Sequence, residues 1–170
     1  SIGKPAEMVE QAKKTVQRGF TALKIKLGDH SIDEDMESVK QIAQAVGSDV
    51  SLRLDVNQGW SYKQALRAFK MLADANLNLD FIEQPLPANQ LRDLALLRQQ
   101  STIPLMLDES VFTSVDALRV IKAGAADYVN IKLMKCGGIY EATKINQLCE
   151  SAGIPCMVGS MIEAPESIAA

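Results

Sequence analysis

The chain has 170 residues, 47% of them hydrophobic and 23% charged, which is enough apolar material for a sizeable core. A net charge of −3 and a pI of about 5.2 give no basic footprint for nucleic acid. No apolar run approaches the roughly 20 residues of a membrane span, so neither nucleic acid nor membrane is expected as a partner.

Helical and extended segments alternate along the chain. "PAEMVEQAKKTVQRG" has helical periodicity, opening with Pro5 and closing at Gly19, and "FTALKIKL" follows as a strand. "SIDEDMESVKQIAQAVG" reads as a helix with acids in its first turn and Gly47 at its end, as the helix dipole prefers. Next come a strand "VSLRLDV", a helix "SYKQALRAFKMLADAN" and a strand "LDFIEQP" stopped by Pro85. The helix "NQLRDLALLRQQS", the strand "IPLMLDES" and the helix "SVDALRVIKAGA" follow. The series closes with a strand "ADYVNIKL", a helix "IYEATKINQLCESAG" and a strand "IPCMVGS". Six strands separated by helices predict an α/β fold with parallel strands and right-handed crossovers. Either a doubly wound sheet or a closed β/α barrel satisfies that pattern. No GxGxxG or GxxxxGK[ST] follows the first strand, so a nucleotide-binding version has no support. No linker divides the chain, and one domain is expected over 1–170. A complete eightfold barrel needs roughly 250 residues, so in the barrel reading the chain covers only part of one.

Cys136, Cys149 and Cys156 are odd in number and form no CxxC. They read as small buried hydrophobes of a reducing, cytoplasmic protein. The single histidine, His30, sits in the polar run "GDHSIDED" and reads as a surface residue. One histidine cannot build a histidine-based triad or zinc site.

The first five strands end in ionisable residues. In order they are Lys24 and Lys26, Asp55, Glu83, Asp108 with Glu109, and Lys132. The C-terminal strand ends of parallel β/α folds form the active-site face. Taken singly, Asp55 and Asp108 are as readily turn or cap residues, Glu83 a solvated strand end and Lys132 a surface lysine. Taken together, three hard carboxylates on adjacent strands, with room left for water and substrate, suit Mg²⁺, with Mn²⁺ as a substitute. Lys26 and Lys132 would then flank a metal-bound carboxylate substrate whose α-proton the metal acidifies. One lysine takes that proton and the other returns one to the opposite face. A lysine acts as a base only once it has lost its own proton, and a second cation beside it, such as Lys24, favours that loss.

These residues resemble the enolase superfamily, in its muconate-lactonizing subgroup. "KIK", "LDVNQGW", "IEQP", "LDES" and "NIKLMKCGGI" are similar to the subgroup's second- to sixth-strand segments, and Lys26, Asp55, Glu83, Asp108 and Lys132 stand 29, 28, 25 and 24 residues apart in turn, as the subgroup places them. "NIKLMKCGGIYEA" with "MVGSMIEA" most resembles dipeptide epimerases of the L-Ala-D/L-Glu type. The resemblance implies a Mg²⁺-dependent isomerase that inverts an α-carbon, with Lys26 and Lys132 as acid/base catalysts. It implies that Lys24 assists Lys26 and the substrate carboxylate, and that Asp55, Glu83 and Asp108 hold one metal ion. Asn57 and Glu109 would support the metal site, and Ser160, Met161 and Ile162 would line the substrate pocket. It also implies that 1–170 is one incomplete catalytic domain carrying about strands two to seven of a TIM-like barrel, without most of the first strand, the last strand and the capping domain. The longer protein would be a homo-oligomer acting on a small carboxylate, a dipeptide by preference. Muconate cycloisomerisation, o-succinylbenzoate synthesis and N-acylamino acid racemisation stay open on the same scaffold. A metal-free Schiff-base lysine at Lys132 is a rival mechanism that the carboxylates argue against. A non-catalytic β/α assembly module is the rival of another class. Trp60, in the loop after Asp55, is expected either at the site's rim or packed under the next helix.

Overall fold

A computed structural model describes residues 5–161. Six strands alternate with helices as the hydrophobic pattern predicts. The elements are α1 (Pro5–Gln17), β1 (Ala22–Lys26), α2 (Ile32–Val46), β2 (Ser51–Asp55), α3 (Tyr62–Asp74), β3 (Leu79–Glu83) and α4 (Leu91–Gln99). They continue with β4 (Leu105–Leu107), α5 (Ser114–Ala123), β5 (Tyr128–Lys132), α6 (Leu133–Cys136), α7 (Ile139–Ser151) and β6 (Cys156–Gly159). Two details differ from expectation. The "IPLMLDES" strand stops at Leu107, because Asp108 opens a turn closed by the Val111 amide on its carbonyl at 3.0 Å. The strand ending in Lys132 passes straight into the one-turn helix α6, which Gly137 ends in the left-handed conformation.

The sheet order is β1-β2-β3-β4-β5-β6, and every pair is parallel. That order decides between the two architectures. A doubly wound sheet reverses direction partway and covers both faces. Right-handed crossovers in an unreversed series put every helix on one face, so the twisted sheet curls as part of a barrel. The helix-facing side is apolar: Leu52, Leu54, Ile82, Leu105, Leu107 and Val129 are almost wholly buried against helix residues such as Val39, Ala68, Leu97 and Val120. Alternate residues face the other way. There Arg53 stacks over Phe81 at 5.6 Å, and Phe81 meets Tyr128 with ring centroids 6.0 Å apart. One level nearer the strand ends, the register aligns Lys26 with Asp55 and Asp55 with Glu83. Among the described residues, no helix is long and apolar enough to cross a membrane.

Reciprocal capping boxes start three helices, Ser31 with Glu34, Ser61 with Gln64 and Thr113 with Asp116. The loops after β1 and β2 lock together through backbone contact. Gly28 has φ +102°, and a side chain there would lie 2.8 Å from the Val56 carbonyl. Its N–H donates to buried Asp35 at 2.9 Å. Gly28→Ala combines backbone strain with a clash against main chain, whereas Gly47→Ala, at φ +84° with open space around it, carries strain alone. Gly28→Ala is therefore expected to destabilise the fold by about 1–3 kcal/mol and by more than Gly47→Ala. Urea unfolding of the two variants measures the difference, and equal losses would mean that the loop contact contributes nothing.

Candidate active site

The side chains at the strand ends meet in one cluster. Asp55 and Glu83 are 0% exposed and Asp108 1%. Such buried carboxylates need partners, and lysines supply them. Lys24 Nζ lies 3.0 Å from Asp55 Oδ2 and 2.6 Å from Glu83 Oε2, so one ammonium bridges two adjacent strands. Lys26 Nζ lies 2.8 Å from the same Asp55 oxygen and 2.5 Å from Asn57 Oδ1. The lysines of "KIK" thus share a face and point at carboxylates. Four strands away Lys132, itself buried, pairs with Asp108 Oδ2.

Asp55 and Glu83 converge on a common cation, while Asp108 is turned toward lysines of its own. Among the described residues, no three acidic, histidine or cysteine groups already stand as a shared metal cage. The donor set nevertheless fits a hard divalent cation. It offers three buried carboxylates on neighbouring strands, two of them already bridged by a cation, and a further buried carboxylate oxygen without a hydrogen-bond partner, Glu109 Oε2. Glu109 Oε1 accepts from Asn57 Nδ2 at 3.1 Å, so these two residues, expected in support, do touch each other beside Lys26.

Charge tuning follows from burial and neighbours. Burial works against the Lys24 charge, but Glu83 and then Asp55 outweigh it and hold its pKa above the ordinary lysine value. For Glu83, burial and then the Asp55 charge push the pKa up against Lys24 and Asn130. Burial also acts to raise Asp108, yet hydrogen bonds from Lys132 and Lys135 carry it below the ordinary aspartate value. Lys24 is therefore suited to stay cationic, as an anion-binding group.

Three residues beyond the sequence reading complete the cluster. Lys135, its side chain 7% exposed, meets Asp108 Oδ1 at 2.5 Å and donates to the carbonyls of Asp108, Val111 and Asn130 at 2.5, 3.0 and 3.2 Å. Asn130, on the strand face of Lys132, donates to Glu83 Oε1 at 2.8 Å. The buried Gln84 carboxamide accepts from the amides of Asp108 and Ser110 at 3.0 and 3.1 Å and donates to the Leu86 carbonyl and the Ser110 hydroxyl at 2.9 Å each. That ties the end of β3 to the Asp108 turn. The period-2 alternation through Lys132 marks Asn130 in advance, whereas nothing local marks Lys135 or Gln84.

Trp60 is 2% exposed and belongs to the core, as its packing alternative expects. His30 is exposed, and all three cysteines are free. Ser160 and Met161 follow β6 and are exposed, and Ile162 lies outside the described residues.

A profile described as enolase C-terminal domain-like matches residues 7–170. The chain is 48% identical over 162 residues to a hydrophobic dipeptide epimerase of Enterococcus faecalis, covering 95% of the chain and 45% of that protein. A crystal structure of the Enterococcus faecalis V583 dipeptide epimerase with Mg and the dipeptide L-Leu-L-Tyr superposes with a TM-score of 0.92 at 47% identity, over 96% of this chain and 46% of that one. The L-Ala-D/L-Glu epimerase of Bacillus subtilis is 44% identical over the whole chain and 46% of its own length. Its substrate-liganded structure gives a TM-score of 0.97 at 44% identity, over 99% of this chain and 47% of that one. An N-succinyl-L-Arg/Lys racemase of Bacillus cereus is 43% identical over 96% of the chain and 44% of its own length. The chain spans about half the length of these relatives. The strand-end cluster, the sequential parallel sheet and these matches agree on one assignment: the chain belongs to the enolase superfamily, as part of its C-terminal, TIM-barrel-like domain.

Proposed function

We propose that the intact protein carrying this chain is a Mg²⁺-dependent isomerase that epimerises a dipeptide of the L-Ala-D/L-Glu type. The observation that carries this reading is the opposition of two lysine groups across one mouth. Lys24 and Lys26 hold the carboxylates at the ends of β2 and β3, and Lys132 pairs with Asp108 after β4. The epimerase relatives at 44–48% identity support the substrate class. Residues 1–170 act as one domain bearing about strands two to seven of the barrel, in a cytoplasmic homo-oligomer.

Asp55, Glu83 and Asp108 hold one divalent cation, Mg²⁺ or Mn²⁺ in its place, which supplies positive charge where negative charge develops on the substrate as its α-proton leaves. Lys24 binds the substrate carboxylate. Lys26 and Lys132 face opposite sides of the α-carbon, one taking the proton at Nζ and the other delivering one. Asn57 and Glu109 steady Lys26 through the contacts between them, and Ser160, Met161 and Ile162 line the pocket. The Bacillus cereus relative makes racemisation of an N-succinylated amino acid the second reading, on the same lysines.

Activity of the intact protein is expected to vanish in EDTA and return with Mg²⁺. Asp55→Asn, Glu83→Gln and Asp108→Asn should each weaken Mg²⁺ binding, since each removes a formal charge from a site built on three. Calorimetric titration with Mg²⁺ checks this, and undiminished turnover in EDTA would remove the mechanism.

Replacing either lysine should abolish epimerisation yet leave one half-reaction. Lys132→Ala is expected to exchange the α-proton of one stereoisomer with D₂O, and Lys26→Ala that of the other. Residual exchange is read against the 10²–10⁴-fold scale, on the order of what a positioned acid or base contributes. Proton NMR of both isomers of L-Ala-Glu in D₂O decides it. Exchange of the same isomer by both variants would sink the two-base assignment.

A further inference from the structure

The three candidate ligand carboxylates share one arrangement. In each, one oxygen is occupied from behind, by a hydrogen-bond donor for Asp55 and Glu83 and by the Lys135 charge for Asp108, and the other faces a lysine. Asp55 Oδ1 accepts the Asn57 backbone N–H at 3.1 Å, and its Oδ2 meets Lys24 and Lys26. Glu83 Oε1 accepts from Asn130 at 2.8 Å, and its Oε2 meets Lys24. Asp108 Oδ1 forms an ion pair with Lys135 at 2.5 Å, whose three N–H groups go to main-chain carbonyls, and its Oδ2 meets Lys132. The back donors are locked in place. Lys135 is surrounded by three main-chain carbonyls besides Asp108, and releasing it would strand all three. Asn130 is 0% exposed, and a side chain at Gly159 on the neighbouring strand would collide with its carboxamide, so the glycine leaves Asn130 the room it fills.

We infer that Asn130 and Lys135 are positioning residues that restrict Glu83 and Asp108 to one ligand oxygen each, and so make the site select Mg²⁺ over Ca²⁺. This rests on the metal reading proposed above. Mg²⁺ demands a near-ideal octahedron of short bonds, whereas the larger Ca²⁺ takes more oxygens and uses bidentate carboxylates. Bound here, Mg²⁺ would take one oxygen from each of Asp55, Glu83 and Asp108, with room left for water and a substrate carboxylate. Ca²⁺ draws much of its larger oxygen shell from bidentate carboxylates, and here the second oxygens are already occupied, which leaves water as its main source of extra ligands. A merely structural role for Lys135, stapling the Asp108 turn to the end of β5, would affect stability and leave the metal preference unchanged.

Calorimetric titration of the intact protein with Mg²⁺ alone and with Ca²⁺ alone tests this, with the ratio of the two dissociation constants as readout. The ratio is needed because loss of the Lys135 charge makes the site more negative and favours both ions alike. Asn130→Leu and Lys135→Met are each expected to shift the ratio toward Ca²⁺ by about tenfold or more, the scale on which groups behind metal ligands act. Thermal melting without metal shows which variants are folded. Should Lys135→Met fail to fold, Asn130→Leu decides, because Asn130 staples no turn. A ratio within about twofold of the unaltered protein in the folded variants, while the unaltered protein binds Mg²⁺, overturns the inference and leaves the proposed function standing. Failure of the unaltered protein to bind Mg²⁺ overturns both.

Discussion

A carboxylate with no solvent around it costs several kcal/mol to bury unless a cation and further donors surround it. Asp55, Glu83 and Asp108 are in that position at the ends of consecutive parallel elements, and the rest of the cluster answers to them. Four acids, with Glu109 counted, stand among four lysines, Lys24, Lys26, Lys132 and Lys135. The lysines are therefore counter-ions of the fold as well as candidate acids and bases. A cation entering among the carboxylates competes with ammonium groups for the same oxygens, so metal binding and the release of lysine side chains toward a substrate are physically linked.

The scaffold holds this charge by fixing loops as much as strands. Asn57, Gln58 and Gln84 adopt positive φ, at 45°, 68° and 38°, a conformation that residues other than glycine rarely take. All three lie at the mouth. The Gln58 amide donates to the Gln84 carbonyl at 2.7 Å, and the Gln58 side chain accepts from the Ala88 amide at 2.9 Å. Strain at these positions is retained because the surrounding hydrogen bonds over-determine the turns. With the Gln84 carboxamide fully engaged, the Asp108 turn has little freedom to re-aim its carboxylate.

Relatives named for dipeptide epimerisation and for N-succinyl-amino acid racemisation match the chain almost equally well. Both are inversions at a carbon next to a carboxylate, and the lysine–carboxylate cluster speaks to that shared chemistry. Choice between such substrates requires contacts to groups distant from the reacting carbon. Of the pocket residues expected from resemblance, Ser160 and Met161 stand exposed just past β6, at the rim and not within the charged cluster.

Hydrophobic periodicity is a local property, so six strands, their helices and the ionisable residues at their ends were all legible in the sequence. The capping boxes are equally local, since Ser31, Ser61 and Thr113 act on amides within one turn, but they first emerge in the structure. Local pattern could not choose between a doubly wound sheet and a barrel, because that depends on which strands pair, and pairing joins residues far apart in the chain. Nor could it find the partners behind the carboxylates. Lys135 reads as one more lysine on a short helix until β4 and β5 are side by side and three carbonyls turn toward it. Trp60 likewise occupies a loop by sequence and the core by structure, because long-range packing decides whether a loop side chain meets water. The sequence by itself determined which groups stand at the strand ends. Tertiary structure alone decided which oxygen of each carboxylate is held and which is offered, since that choice is made by donors brought from strands and turns remote in the chain.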